Sequence, residues 1–182
     1  MKSEMSQELN QITKESLFIA LMQLMEKKDF NSISITEIAE KAGVSRMAYY
    51  RNYQSKEDIL TQYFDDIFAE FVSKILKREI RDIYTGYFQF FREHKDLIEV
   101  LIKADMTYLL NDKFLSYVDQ LSKTIFSAFL KEINPYELYY AAAGLQQLLV
   151  KWVNGGCQES DEEMAAVLKK ISSYTTITKA FM

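Results

Sequence analysis

The strongest constraint on the fold of this chain lies in residues 34 to 56, where the sequence runs SITEIAEKAGVSRMAYYRNYQSK. Ser34 is followed three residues later by Glu37, the capping-box spacing that begins a helix. Gly43 supplies the backbone conformation that ends a helix, and Ser45 is suited to cap a second helix at once. Two short helices joined by so tight a turn predict a helix-turn-helix.

The second helix of this pair is basic and aromatic. Four basic residues and no Asp or Glu stand between Lys41 and Lys56, in a chain with 22 basic and 26 acidic residues. Tyr49 and Tyr53 stand four apart and are expected to pack inward, which leaves the charged residues on other faces. A locally positive surface on an acidic chain favours docking on DNA at selected sites over general coating of nucleic acid.

The same stretch continues into a further predicted helix, with Ser55 as its cap. The residues ITEIAEKAGVSRMAYYRNYQSKEDIL together resemble the DNA-binding domain of the tetracycline-repressor (TetR) family of bacterial transcriptional regulators. The resemblance covers roughly residues 10 to 65. It depends on four features in one register: the Gly-Val-Ser turn, the tyrosine of the second helix, the aromatic residue four positions after it, and the Ser-Lys-Glu sequence. It implies a helix-turn-helix DNA-binding domain in residues 1–54 and a helical regulatory, ligand-binding and dimerisation domain in residues 55–182.

Outward-facing residues of the helix-turn-helix are the candidate DNA contacts. Arginines are expected to pair with guanine edges or phosphates, and an exposed tyrosine with a phosphate or a thymine methyl group. The alternative for each arginine is a solvated or intramolecular charge, and for Met47 simple exposure. The expected backbone contacts are Thr36, Ser45 and Lys56. The other expected contacts are Arg46, Met47, Ala48, Tyr50, Arg51 and Asn52.

Composition predicts an all-α fold of about nine helices, because one Pro and five Gly leave little room for other structure. The polar first ten residues are expected to be a frayed end. A helix is expected over residues 114 to 129, capped by Asn111 or Asp112, and Asn134 and Ser160 are expected to cap the last two helices.

No secretory signal or disulfide framework is visible, which predicts a cytoplasmic protein. No segment has the roughly 20 consecutive apolar residues needed to cross a bilayer, so no membrane partner is expected.

The last two predicted helices carry wide apolar faces that include small residues, which allow helices to approach closely. The resemblance implies that two copies pair through these faces in a four-helix bundle, whereas the alternative is that the faces complete the core of one subunit. Paired heads roughly 34 to 36 Å apart suit a palindromic operator in double-stranded DNA. The expected interface residues are Leu138, Ala141, Ala142, Leu145, Leu148, Leu149, Met164, Val167, Leu168 and Ile171.

Most of the aromatic residues follow residue 57, which raises the hypothesis of a small-molecule pocket. A tightly packed aromatic core is the alternative. The scarcity of basic residues on these stripes favours a neutral or cationic effector over an anionic one. The expected pocket residues are Tyr84, Tyr87, Phe91, Tyr108, Phe114, Tyr117 and Trp152.

Catalysis finds little support in the sequence. His94 is the only histidine and lies at an expected helix end, so a His-dependent triad or a multi-histidine metal site within one chain is not available. Cys157 has no second cysteine to pair with. We expect no catalytic residue, no metal and no cofactor, and hence no enzyme.

These expectations combine in a dimeric regulator of transcription, most simply a repressor that a small-molecule inducer releases from its operator. A DNA-binding head does not fix the sign of regulation, so an activator or co-regulator that works through a protein partner is an alternative. A helical small-molecule-binding protein that does not bind DNA is an alternative of another class.

Overall fold

The computed structural model describes residues 2–77, 79–80, 82–123 and 134–172. Within these ranges the chain forms nine α-helices and no strand, which confirms the predicted all-α fold. A short 3-10 turn, Phe30–Ser32, precedes the second helix. The helices are α1 (Lys2–Met25), α2 (Ile35–Lys41), α3 (Arg46–Asn52), α4 (Lys56–Leu76), α5 (Ile83–Glu93), α6 (Lys95–Lys103), α7 (Thr107–Lys123), α8 (Pro135–Asn154) and α9 (Asp161–Ser172).

The chain divides into two compact units, Met1–Asp66 and Ile67–Met182. The division falls inside α4, whereas the sequence predicts a domain boundary just before this helix. The first half of α4 contacts the rest of the smaller unit through Lys56, which donates to the Phe30 carbonyl, and through Tyr63, which stacks on Phe18. We call this smaller unit the head.

The core of the head is built by α1, which packs against both α2 and α3. Leu17 and Leu21 of α1 are fully buried, and the ring of Phe18 stacks on Tyr63 of α4 with centroids 3.6 Å apart. Helix α1 begins at Lys2, so the expected frayed end is instead helical. Ser, Glu, Gln, Met and Leu in this stretch tolerate or favour a helix, even where its face is exposed.

Side-chain caps begin α2, α8 and α9 where the sequence predicts them. The hydroxyl of Ser34 accepts the N–H of Glu37, and the Glu37 carboxylate accepts the N–H of Ser34 at 2.9 Å. Ser160 and Glu163 form the same reciprocal pair before α9. The side chain of Asn134 accepts the N–H of Tyr136 at the start of α8. Each cap satisfies an N–H group that a helix start leaves unpaired.

The core of the larger unit is aromatic. Phe88, Phe91 and Leu149 are almost completely buried, and α5 packs against both α8 and α9. Helix α7 begins at Thr107, earlier than the predicted caps at Asn111 or Asp112, because a tight turn at residues 104–106 starts it. The end of the helix predicted over residues 114 to 129 lies outside the described residues.

Candidate nucleic-acid interface

The turn between α2 and α3 has the geometry that its glycine predicts. Gly43 has a positive φ of 69°, a conformation that L side chains rarely adopt. The N–H of Val44 then donates to the carbonyl of Ala39 at 3.0 Å, which closes the end of α2. The hydroxyl of Ser45 accepts the N–H of Ala48 at 3.1 Å and begins α3 within two residues of the glycine.

One side of α3 anchors it in the head. Tyr49 is fully buried and Tyr53 is 4% exposed, which confirms the prediction that these two rings pack inward. Burial raises the pKa of each phenol to about 12, so both stay protonated at neutral pH. The Tyr49 hydroxyl finds no hydrogen-bond partner among the described residues. Two rigid rings on one side therefore fix which residues α3 presents outward.

The opposite side of α3 is open to solvent. The side chain of Met47 is 72% exposed and that of Tyr50 is 49% exposed, and Arg46 and Arg51 are also exposed. The Tyr50 ring meets the edge of Tyr49 at a centroid distance of 5.2 Å, so the buried ring orients the exposed one. This surface, which we call the α3 face, combines two guanidinium groups, a phenol and a flexible thioether.

The remaining sequence-predicted contacts have different placements. Thr36 and Ser45 are exposed, although the Ser45 hydroxyl already serves as a cap. Asn52 is half-buried and its amide nitrogen donates to the carbonyl of Ala48 at 2.9 Å, which turns the side chain back along its own helix. Ala48 is half-buried and keeps the α3 face shallow beside Met47.

Lys56 is engaged inside the head. Its ammonium group donates to the carbonyl oxygens of Phe30 at 2.6 Å and Ile33 at 2.8 Å. These contacts use two of the three ammonium donors. The sequence offers no sign of this contact, since the partners are backbone atoms more than twenty residues away.

Two acidic groups of the head, Glu37 and Asp58, are held by partners within the head. The Lys28 ammonium pairs with the Glu37 carboxylate and, together with the N–H and hydroxyl of Ser34, lowers the Glu37 pKa to about 2. Burial acts to raise the pKa of Asp58, but hydrogen bonds from the N–H groups of Gln54 and Ser55 outweigh it and the pKa is lowered. These carboxylates complete caps, while the α3 face itself carries no acid.

The predicted pocket residues do not all lie together. Tyr87, Phe91 and Phe114 share one aromatic cluster, in which Tyr87 lies 4.8 Å from Phe91 and 6.2 Å from Phe114. Tyr117 joins this cluster through Phe68, on which it stacks at 4.0 Å.

Trp152 also joins this cluster, through Phe88, whose ring lies 5.2 Å from that of Tyr87. Two predicted pocket residues lie outside it. Tyr108 is 54% exposed. Tyr84 is half-buried beneath the Lys169 ammonium, which lies 5.6 Å from the centre of its ring. The Trp152 ring contacts Arg92 and Phe88 at 4.6 and 5.3 Å.

Two buried polar groups of the larger unit find no partner among the described residues: the hydroxyl of Tyr87 and the side-chain nitrogen of Gln146. Gln146 is 1% exposed and is the one polar residue among the buried ones that the structure describes. Burial raises the pKa of Tyr87 well above its usual value, which keeps this phenol neutral. Unpaired groups of this kind often mark a bound water or ligand. Sequence reasoning missed Gln146, whose helical spacing from Leu149 and Val153 was the available signal.

The predicted interface residues divide between two faces of α8 and α9. Those already buried within one subunit are Ala142, Leu149 and Met164, and they belong to its own core. On α9, Val167 and Ile171 remain 43% and 48% exposed. The half-buried members of the predicted set are Leu138, Ala141, Leu145, Leu148 and Leu168.

Arg92 holds the loop between α8 and α9 in place. Its guanidinium donates to the Asp161 carboxylate at 2.8 Å and to the carbonyls of Cys157 and Glu159 at 3.1 and 2.7 Å. Cys157 is 7% exposed, and burial raises the pKa of its thiol, which disfavours the reactive thiolate.

His94 caps the end of α5 and packs on Phe90 at 4.7 Å, and burial lowers its pKa. No cluster of three or more metal-ligating side chains occurs among the described residues. None of the described helices has the length and apolar character to cross a bilayer.

A helix-turn-helix with an exposed basic and aromatic face, followed by a helical unit with an aromatic core, defines a class of two-part DNA-binding regulators. Residues 17–63 match the family described as bacterial regulatory proteins, tetR family. Residues 78–174 match a TetR transcriptional regulator C-terminal region. The chain belongs to the TetR family.

Relatives in Bacillus subtilis (strain 168) are similar over parts of the chain. Over 108 residues it is 30% identical to the uncharacterized HTH-type transcriptional regulator YerO, an alignment that covers 51% of this chain and 36% of that protein. It is 26% identical over 162 residues to the uncharacterized HTH-type transcriptional regulator YuxN, covering 76% and 54%. The chain thus spans about a third to about half of the length of these relatives.

A solved structure shares the fold. The TetR family repressor AlkX from Dietzia sp. strain DQ12-45-1b, implicated in biodegradation of n-alkanes, superposes with a TM-score of 0.52 at 18% identity. The superposition covers 88% of this chain and 94% of that chain.

Proposed function

We propose that this chain is a sequence-specific transcriptional regulator that binds a palindromic operator as a homodimer and releases it when a small molecule binds the larger unit. It acts where bacterial DNA lies, in the cytoplasm. The observation that carries the proposal is the α3 face: Arg46, Met47, Tyr50 and Arg51 are exposed on one side while Tyr49 and Tyr53 lock the other. An exposed helix of this composition fits the major groove.

The chemistry of each exposed side chain indicates whether it suits a base edge or a phosphate of DNA. Guanidinium groups recognise guanine O6 and N7 in a bidentate manner, and Arg46 stands at the amino end of α3, the part of a recognition helix that meets base edges. Arg51 lies more than a turn further along and is suited to a phosphate or a second base. Thr36 at the start of α2 is suited to contact the phosphate backbone of DNA. Such a contact positions the head without recognising the base sequence.

Dimerisation is supported by the second apolar face of α8. Leu138, Ala141, Leu145 and Leu148 follow one another at helical spacing, and they are only half-buried in a single subunit. Val167 and Ile171 of α9 are exposed at a spacing of one turn. Two copies of these two helices make a four-helix bundle, which would place two heads on one operator.

The effector site is proposed in the larger unit, where the Tyr87 hydroxyl and the Gln146 amide nitrogen are buried without a hydrogen-bond partner among the described residues. None of the buried residues that the structure describes carries a charge, and an uncharged effector avoids the cost of burying an ion without a partner. An uncharged, largely apolar molecule with a hydrogen-bond acceptor suits these groups, since the amide nitrogen is a donor and the phenol can donate or accept. The Tyr87 ring lies among Phe71, Phe91 and Phe114, which would contact the apolar part of such a ligand.

A gel-shift assay with the DNA upstream of the chain's own gene tests the DNA-binding proposal. Full-length protein is expected to shift this duplex and not a shuffled duplex of equal length in the presence of competitor DNA. Equal shifts of both duplexes, or none, would contradict it.

Effector binding is tested by mass spectrometry of small molecules released from the purified protein, followed by operator release with each candidate. Tyr87→Phe and Gln146→Leu are expected to weaken the response to the effector while leaving operator affinity intact. An unchanged response in both variants would locate the effector elsewhere.

A further inference from the structure

Lys56 occupies an electrostatically unfavourable place as the first residue of α4. The amino end of a helix carries a partial positive charge, which disfavours a cation there. The side chain is half-buried and turned back, with its ammonium 2.6 Å from the Phe30 carbonyl oxygen and 2.8 Å from that of Ile33. The same ammonium lies 4.5 Å from the centre of the Phe30 ring. Three favourable contacts thus converge on one charge.

The two carbonyls belong to the turn that leads the chain into α2. Ile33 directly precedes Ser34, whose side chain caps α2. The Phe30 carbonyl also accepts the N–H of Ile33 at 3.1 Å, so the ammonium and the turn share an acceptor. Phe30 and Ile33 are 6% and 2% exposed, which anchors the turn in the core of the head. Lys56 therefore cross-links the start of α2 to the start of α4.

The cross-linked helix starts flank α3, the proposed recognition helix, because α3 lies between α2 and α4 in the chain. Loss of the ammonium leaves two carbonyls without a charged donor and frees the turn to shift relative to α4. Binding sites require their side chains to be held within about 0.5 Å of the productive geometry. A small rotation of α2 and α3 is thus sufficient to misplace Arg46 and Tyr50 on the base edges.

We propose that Lys56 is a positioning residue: it acts through the carbonyls of Phe30 and Ile33 to hold the helix-turn-helix in place against the first turn of α4, and makes no phosphate contact. This rests on the proposed DNA-binding function, because its consequence is measured on operator DNA. A positioning role and a phosphate contact have opposite signatures. A lost phosphate contact weakens all sequences alike and reduces the salt dependence, whereas a misplaced α3 face weakens chiefly the specific sequence.

The test compares Lys56→Met with Lys41→Met in the full chain. Both variants lose one positive charge from the same acid-free stretch, but Lys41 is exposed at the end of α2. Affinities for operator and random duplexes are measured by fluorescence anisotropy over a series of salt concentrations. Lys56→Met is expected to weaken operator binding about tenfold at every salt concentration, with the salt slope unchanged and random-duplex binding within about twofold. Lys41→Met is expected to leave the ratio of operator to random affinity unchanged.

A fall of about 0.9 in the salt slope with equal losses on both duplexes would overturn the proposal, as the signature of a phosphate contact. Unchanged operator binding by Lys56→Met would overturn it as well. A second measurement uses the wild-type protein with 15N-labelled lysine. The Lys56 ammonium is expected to give a slowly exchanging NMR signal in the free protein that does not move when operator is added. Absence of this signal refutes the cross-link even if the wild type binds no DNA, a result that would separately refute the proposed function.

Discussion

Met47 is expected to contact a thymine methyl group in the major groove. It is the most exposed of the large apolar residues that the structure describes on α3. Its side chain is 72% exposed, and a flexible thioether adapts readily to an apolar neighbour. Apolar contact with the C5-methyl group is one of the ways in which a major-groove helix recognises thymine. The perturbation is therefore twofold: Met47→Ala in the protein and thymine to deoxyuridine in the DNA, which removes only the methyl group.

The magnitude follows from the exposed surface. Full burial of a methionine side chain contributes about 1.5 to 3 kcal/mol, so the 72% still exposed leaves about 1 to 2 kcal/mol to be gained per head on DNA. The methyl group alone contributes about 0.8 kcal/mol, or about fourfold in affinity. Met47→Ala should change the free energy of unfolding by less than about 0.5 kcal/mol, because the side chain is a surface one.

The assay replaces each thymine of a half-site in turn and measures affinity at constant salt. One position is expected to lose about fourfold with the wild-type protein and nothing further with Met47→Ala. Ile19→Ala is the matched control, since this α1 side chain is 53% exposed but outside the helix-turn-helix. The reasoning is refuted if Met47→Ala keeps the full loss of affinity on deoxyuridine. If only Tyr50→Ala abolishes that loss, Tyr50 and not Met47 contacts the methyl group.

Two further predictions concern the dimer and the cap of α2. Leu148→Glu and Ile171→Glu are each expected to give monomers by light scattering at micromolar concentration, because burying an unpaired carboxylate in the proposed interface opposes dimerisation. Dimers with both variants would contradict the proposed interface. The Glu37 pKa is lowered to about 2 from an ordinary 4.5, so the ionised carboxylate stabilises the folded head above about pH 4.5. This stabilisation is lost as the pH falls toward 2. Glu37→Gln should therefore flatten the fall in thermal stability over that interval, and an unchanged profile would contradict the assignment.

Local signals predicted the head well. The capping residues, Gly43 and the inward tyrosines depend on neighbours three or four positions away, so their spacing carries the information. The contacts of Lys56 were beyond such reasoning. A lysine near a helix start has the same local sequence whether it faces phosphate or a distant carbonyl, and the carbonyls that Lys56 reaches lie 26 and 23 residues away along the chain.

Periodicity predicted the apolar faces of the larger unit but could not divide them. On α8 the residues Ala142, Leu149 and Val153 face inward, while Leu145 and Leu148 stay half-exposed, and both sets belong to one wide stripe in the sequence. Which half of the stripe turns inward depends on the helices packed against it, α6 and α7 among them. The same limit applies to aromatic residues, since spacing alone cannot separate the buried Tyr87 from the exposed Tyr108.

The central claim is that the α3 face specifies a DNA sequence, and selection from random duplexes by the full-length protein tests it most directly. The wild type is expected to enrich a palindrome whose half-sites lie roughly one helical turn apart. Arg46→Ala should lose about 1 to 3 kcal/mol on that sequence and relax the base preference at one position of each half-site. No enriched sequence with the wild type, or the same sequence enriched equally well by Arg46→Ala, would contradict the claim.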